Sequence, residues 1–211
     1  MEELKKLLFS GDAENLAREV GRLLGEGTAP DKILNEGLIA GMGVVGGKFK
    51  NNEIFIPEVL ISADAMQAGM KVLEPRLIEA GVRPIAKVVI GTVKGDLHDI
   101  GKNLVSMMLK GSGFQIEDCG IDVPAQKFIE TINKSEAQIL AMSSLLTTSM
   151  PAMKSTIEEL EQNGLRGKVK IMVGGAPITE GFAREIGADG YGKDAVEAVD
   201  LAKGFLKIGV S

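Results

Sequence analysis

The chain has 211 residues, 45% of them apolar and 25% charged, a balance that suits a folded soluble protein of one large or two small domains. Its net charge of −5 excludes the basic face that nucleic-acid binding needs, and no window approaches the ~20 continuous apolar residues of a membrane span. A single cysteine, Cys119, can close no internal disulfide, and the start Met1-Glu2-Glu3-Leu4-Lys5-Lys6 lacks a signal-peptide pattern, so a reducing cytoplasm is expected.

In chain order, the first elements have helical spacing. A short helix is expected around Leu4 to Phe9. Asp12 is placed to cap a second helix carrying Leu16, Val20, Leu23 and Leu24. Pro30-Asp31 opens a third, with Ile33, Leu34, Leu38, Met42, Val45 and Phe49 on one side, and Asn51-Asn52 breaks it. Pro57 starts a fourth, followed by Leu60, Ala63, Met66, Met70 and Leu73. No β-branched alternation interrupts this stretch, so residues 1–84 read as a four-helix bundle.

From Ala86 the period changes. Short apolar runs at Val88-Val89-Ile90, Phe114 to Cys119, Ile139 to Met142, Val169 to Val173 and Gly190-Tyr191 alternate with helical stretches. The helices are expected near residues 102–110, 126–133, 150–162 and 182–186, and from the last strand to Leu206. Strands of about five residues alternating with helices imply an α/β domain over residues 85–211: a doubly wound, five-stranded parallel sheet of flavodoxin-like, Rossmann type. The expected strand order is 2-1-3-4-5, which puts a ligand beyond the carboxyl ends of strands one and three.

Three loops leave that edge. They are Gly95-Asp96-Leu97-His98-Asp99-Ile100-Gly101, Ser143-Ser144-Leu145-Leu146-Thr147-Thr148-Ser149, and Gly174-Gly175-Ala176. The first fails the P-loop spacing and lacks a dinucleotide Gly-x-Gly-x-x-Gly, so neither standard nucleotide site is expected. What it offers is the only histidine of the chain, His98, with Asp96 two residues before it. A carboxylate on one ring nitrogen fixes the tautomer of a metal-ligating imidazole. One histidine is a poor site for a bare ion, but it suffices for a metal already ringed by a macrocycle. Taken alone, the same pair also fits a surface loop with a helix cap.

Asp96-x-His98-x-x-Gly101, the later Ser143-x-Leu145 and Gly174-Gly175 together resemble the signature of the B12-binding domain of cobalamin-dependent methionine synthase and of stand-alone corrinoid proteins. The helical half is similar to that family's cap domain, most clearly across Val44 to Pro75. The resemblance implies a cobamide cofactor whose lower base has been displaced from cobalt by His98. Asp96 would hold the other ring nitrogen, and Ser149 would extend the relay. Asp99 and Ile100 belong to the same cofactor loop, as Leu145 does to the second. Ser143 and Thr147 would contact the buried tail base, and Gly101, Gly174 and Gly175 would leave its slot open. Phe49, Ile56 and Val59 in the cap would shield the methyl-bearing face, although Val59 equally suits plain helical core.

The function so implied is a methyl carrier working between partner proteins. A substrate-specific methyltransferase would load it. A second methyltransferase, acting on tetrahydrofolate or a thiol, would unload it, and a reductive activator would restore it. The alternatives on the same fold are a corrinoid-dependent sensor and the small subunit of an adenosylcobalamin mutase. Neither a nucleic-acid nor a membrane partner is expected.

Overall fold

The computed structural model describes residues 1–207. It divides into two compact units, Met1–Pro84 with Gly111–Gly113, and Ile85–Lys110 with Phe114 onward.

In the first unit, α1 (Glu2–Ser10) ends at Gly11, whose φ of 73° is a left-handed conformation that glycine adopts without penalty. Asp12 then caps α2 (Ala13–Gly25), its carboxylate accepting the Asn15 N–H at 3.1 Å. A third rod begins as α3 (Pro30–Lys32), winds as a π-helix over Ile33–Ile39, and resumes as α4 (Ala40–Lys50). The last helix, α5 (Ile56–Glu79), opens with Pro57 in its first turn and the Glu58 carboxylate accepting the Phe55 N–H at 3.1 Å. Leu4, Leu8, Leu16, Val20, Ile33, Leu38, Val45 and Leu73 are fully buried in this unit.

The π stretch departs from the plain α-helix that the spacing predicts. The Asn35 side-chain amide donates to the Asp31 carbonyl at 2.9 Å, competing for the acceptor that an α-turn would use. Within the same stretch, a Cβ on Gly37 would stand 2.5 Å from Leu4 Cδ1, so the bare position leaves room for the Leu4 side chain of α1.

The second unit follows the expected alternation: β1 (Lys87–Thr92), α6 (Ile100–Gly111), β2 (Gln115–Asp118), α7 (Ala125–Ser135), β3 (Ile139–Ser143), α8 (Met150–Gln162), β4 (Lys170–Gly174), α9 (Glu180–Glu185), β5 (Gly190–Tyr191) and α10 (Ala195–Phe205). All pairings are parallel and the order is β2-β1-β3-β4-β5, as predicted. Because both faces are covered by helices, the central strands are continuously apolar, with Val88, Val89, Ile139, Leu140 and Ile171 fully buried. Gly91 lets Phe128 pack on β1, since a Cβ there would come 2.7 Å from its ring. At the opposite end of the sheet, Asp189 accepts the Ile171 N–H at 2.8 Å and pairs with Lys170 and Arg166, each at 3.0 Å.

The register decides where chemistry can collect. Thr92 aligns with Ser143, and Ser143 with Gly174, so β1, β3 and β4 end at one level and their loops leave side by side.

Candidate corrinoid site

The loop after β1 is shaped around Asp96. Gly95 turns the chain with a φ of 85°. Asp96 is fully buried, and five donors converge on its carboxylate. Oδ1 accepts the His98 backbone N–H at 3.0 Å and lies 2.7 Å from His98 Nδ1. Oδ2 accepts the N–H groups of Leu145 at 2.6 Å and Leu146 at 3.2 Å, and the Ser149 hydroxyl at 3.1 Å. Burial pushes this carboxyl up, but the His98 and Leu145 N–H groups, the imidazole and the Ser149 hydroxyl outweigh it and hold Asp96 well below the usual carboxylate range.

That charge state sets the tautomer of the imidazole. An ionised carboxylate can only accept, so the proton between the two groups sits on Nδ1, and Nε2 is the ring nitrogen left for another partner. The His98 side chain is 52% exposed, and Nε2 has no hydrogen-bond partner among the described residues. The arrangement offers one basic nitrogen, with its tautomer fixed from behind, to an electrophile arriving from solvent.

Other residues steady the loop. Thr92 Oγ1 donates to the His98 carbonyl at 2.8 Å. Asp122 accepts the Gly95 N–H at 2.7 Å, and its own N–H donates to the Asp96 carbonyl at 3.0 Å. Lys102, buried in the first turn of α6, pairs with Asp118 at the end of β2.

The remaining expected residues divide. Leu145 enters through its backbone N–H, and Ser149 through its hydroxyl. Asp99 turns to its own helix, accepting from the Asn103 amide at 3.0 Å, and takes no part in the His98 pair. Ile100 is 75% exposed on the rim. Ser143 and Thr147 form no side-chain hydrogen bond among the described residues and lie outside the Asp96 network. Ser144, one position along from Ser143, is the buried hydroxyl that joins it, 2.7 Å from Ser149 Oγ. A Cβ on Gly101 would meet nothing within 4 Å, so nothing in the fold demands glycine there.

Gly174 and Gly175 have a reason inside the fold. A Cβ on Gly174 would lie 2.9 Å from the Gly192 carbonyl oxygen, and one on Gly175 only 1.8 Å from that of Ser144. Their bareness is required by neighbouring backbone, a reason that stands beside the expected one of leaving a slot open. In the first unit Ile56 is exposed and Phe49 half-buried. Val59 is fully buried, as the alternative of plain helical core expects.

Ser144, Leu146, Thr92 and Asp122 were not marked by the motif. The available signal for Ser144 was the glycine pair ending β4, which announces a close approach by the adjoining strand exit.

A family model described as "B12 binding domain" matches residues 86–200, and a second of the same description matches residues 1–74. The chain belongs to the B12-binding corrinoid proteins. It is 41% identical over 206 residues to dimethylamine corrinoid protein 3 of Methanosarcina acetivorans, covering 98% of this chain and 96% of that protein. Identity to the dimethylamine corrinoid protein of Methanosarcina barkeri is 43% over 207 residues, covering 98% and 97%. Among solved structures, it resembles a chain of the methanol:cobalamin methyltransferase complex of Methanosarcina barkeri with TM-score 0.87 and 30% identity, over 99% of this chain and 79% of that one. A cobalamin-binding protein of Desulfitobacterium hafniense matches with TM-score 0.80 and 29% identity, over 97% of both chains.

The site's own features fit such a cofactor. Among the described residues, no group of three or more His, Cys, Asp or Glu side chains could hold a bare metal ion. A metal carried in a macrocycle needs only one more ligand. Leu97, 68% exposed, with the exposed Ile100 after β1, Ile121 after β2, and Leu145 and Leu146 after β3, gives the carboxyl edge of the sheet an apolar rim. Such a rim suits the face of a large ring, and Gly101 leaves open space beside it.

Proposed function

We propose that this protein holds a cobamide through His98 Nε2 and serves as a methyl carrier in a methyltransferase system. The observation that carries the reading is the Asp96–His98 pair at the carboxyl edge of the sheet, with Nδ1 tied at 2.7 Å and Nε2 left for another partner. When bound, the corrinoid cobalt supplies a centre that accepts a methyl group and releases it. The protein's own tasks are narrower. His98 would hold the metal through Nε2 in place of the cobamide's own base. Asp96 keeps the Nδ1 proton in place, and Ser149 with the Leu145 and Leu146 N–H groups keeps Asp96 ionised. Gly101 leaves room for the displaced tail, with Ser143 and Thr147 available to its polar groups.

The partner that loads the carrier is a substrate-specific methyltransferase. The dimethylamine corrinoid proteins share 41% and 43% of their aligned residues with this chain, against 30% for the methanol-complex chain, so a methylamine is the donor class we infer. The further partners we infer are a second methyltransferase, using tetrahydrofolate or a thiol, and a reductive activator. We place the system in the cytoplasm; among the described residues no helix is long and apolar enough to cross a membrane.

The test is incubation of the protein and of His98→Ala with hydroxocobalamin, followed by desalting and absorbance spectroscopy. The wild-type protein should retain a corrinoid, and the variant should retain less or show altered axial-ligand bands. Folded wild-type protein that retains none, across several cobamides, would overturn the reading.

A further inference from the structure

Behind Ser149 lies a second hydroxyl. Ser144 is fully buried, with Oγ 2.7 Å from Ser149 Oγ and 3.1 Å from the Leu146 carbonyl oxygen. Ser149 Oγ is in turn 3.1 Å from Asp96 Oδ2 and 2.9 Å from the same carbonyl. Ser144 is held there by β4: its N–H donates to the Gly174 carbonyl at 3.1 Å, and Gly175 admits its backbone.

Each hydroxyl has one proton, so the possible arrangements are few. Ser149 can donate to Asp96 or to the Leu146 carbonyl, not fully to both. If Ser144 and Ser149 both donated elsewhere, two oxygens 2.7 Å apart would face each other with no proton between them. An anionic acceptor draws the stronger bond, so Ser149 points to Asp96 and Ser144 points to Ser149. Donors in such a chain polarise one another, and the outgoing bond from Ser149 is strengthened by the incoming one.

We propose that Ser144 is a positioning residue, the outer end of a four-member relay running Ser144–Ser149–Asp96–His98. It acts through Ser149: by strengthening that hydroxyl's hold on Oδ2, it draws charge from the carboxylate and leaves less for the imidazole proton at Oδ1. Its consequence at a bound cobalt rests on the function proposed above, but the relay itself belongs to the protein and is measurable without cofactor.

His98 is the only histidine in the chain, so [15N]histidine-labelled apoprotein gives one set of ring signals. The experiment compares the His98 Nδ1 nitrogen and proton shifts in wild-type protein, Ser144→Ala, Ser149→Ala and the double variant. Both single variants should move the Nδ1 proton downfield, Ser149→Ala further than Ser144→Ala. Adding Ser144→Ala to Ser149→Ala should move it no more. Ser144→Gly removes the same hydroxyl and should repeat the Ser144→Ala shift. Unchanged signals in folded Ser144 variants, or an equal Ser144→Ala shift with and without Ser149, would overturn the relay. Corrinoid retention by the same proteins separates the two ideas. An intact relay in protein that never retains corrinoid removes the proposed function alone; retained corrinoid with unmoved signals removes the relay alone.

Discussion

Replacing Gly101 with alanine should make the protein more stable while a larger side chain at the same position weakens its hold on a cobamide. Gly101 is the second residue of α6, and its backbone is not in the left-handed region. A Cβ built there meets no atom within 4 Å, so alanine introduces no clash. Glycine within a helix costs roughly 0.5–1 kcal/mol relative to alanine, and a first-turn position sits at the low end. At ~2–4 °C per kcal/mol for a chain of this size, Gly101→Ala should raise the Tm of the apoprotein by about 1–2 °C. Gly101→Leu fills the space beside His98, and a loss of about 1.4 kcal/mol of binding is a tenfold weaker affinity for cobamide. Scanning calorimetry of the apoproteins and titration with hydroxocobalamin read the two effects separately. A lower Tm for Gly101→Ala would show that the backbone needs glycine after all. Unchanged cobamide affinity in folded Gly101→Leu would show that the open space is not reserved for a ligand.

Asp96→Asn places an amide NH2 among five converging donors, and urea unfolding of the apoprotein should show a loss of about 2–4 kcal/mol; a change under ~1 kcal/mol would contradict the convergence. Asp122 has a φ of 51°, so Asp122→Ala should cost about 1–2 kcal/mol, whereas Asp122→Asn keeps both the left-handed preference and the acceptor for Gly95 and should cost little in the same assay. Burial raises the Asp189 carboxyl, but the Ile171 N–H, Lys170 and Arg166 outweigh it and leave it below its ordinary value. Its stabilisation is therefore complete above the unfolded-state value near ~3.9 and is lost as pH falls through the lower folded one. Denaturation between neutral pH and pH ~3 should show a shallower acid decline for Asp189→Asn than for the wild type; parallel declines would refute the assignment.

Much of this fold is legible because two periods are written plainly. The change at Ala86 from helical spacing to short apolar runs marks the α/β half, and its five strand–helix alternations suggest the order found without fixing it, because right-handed crossovers leave more than one way to arrange a parallel sheet. Asp96 and His98 are legible for a local reason: they stand two residues apart in one loop. What escapes has a physical cause in each case. The Leu145 and Leu146 donors are backbone N–H groups, which no side-chain pattern encodes. Ser143 and Ser144 differ by one position at the end of β3, where the pleat sets which hydroxyl turns inward and the chain has no further strand to fix the phase. Val59 sits among Ile56, Leu60 and Ile61, a stretch apolar on several sides, so its burial waits on packing. The π stretch is accompanied by the Asn35 side chain bonding the Asp31 carbonyl, a contact that spacing does not reveal.

The donors around Asp96 also differ in how far along the chain they come from, and this orders their assembly. The His98 contacts and the Thr92–His98 bond close within six residues, whereas Leu145, Leu146 and Ser149 reach Asp96 across 49 to 53 residues. During synthesis the loop can take its turn as soon as β1 emerges. The carboxylate has its full set of partners only after β3 has docked beside β1 and α8 has begun, a closure that carries the entropy of a long loop. A chain halted before Ser149 would present the imidazole without a fully braced partner. Cofactor uptake can therefore serve as a report that the centre of the sheet has finished folding.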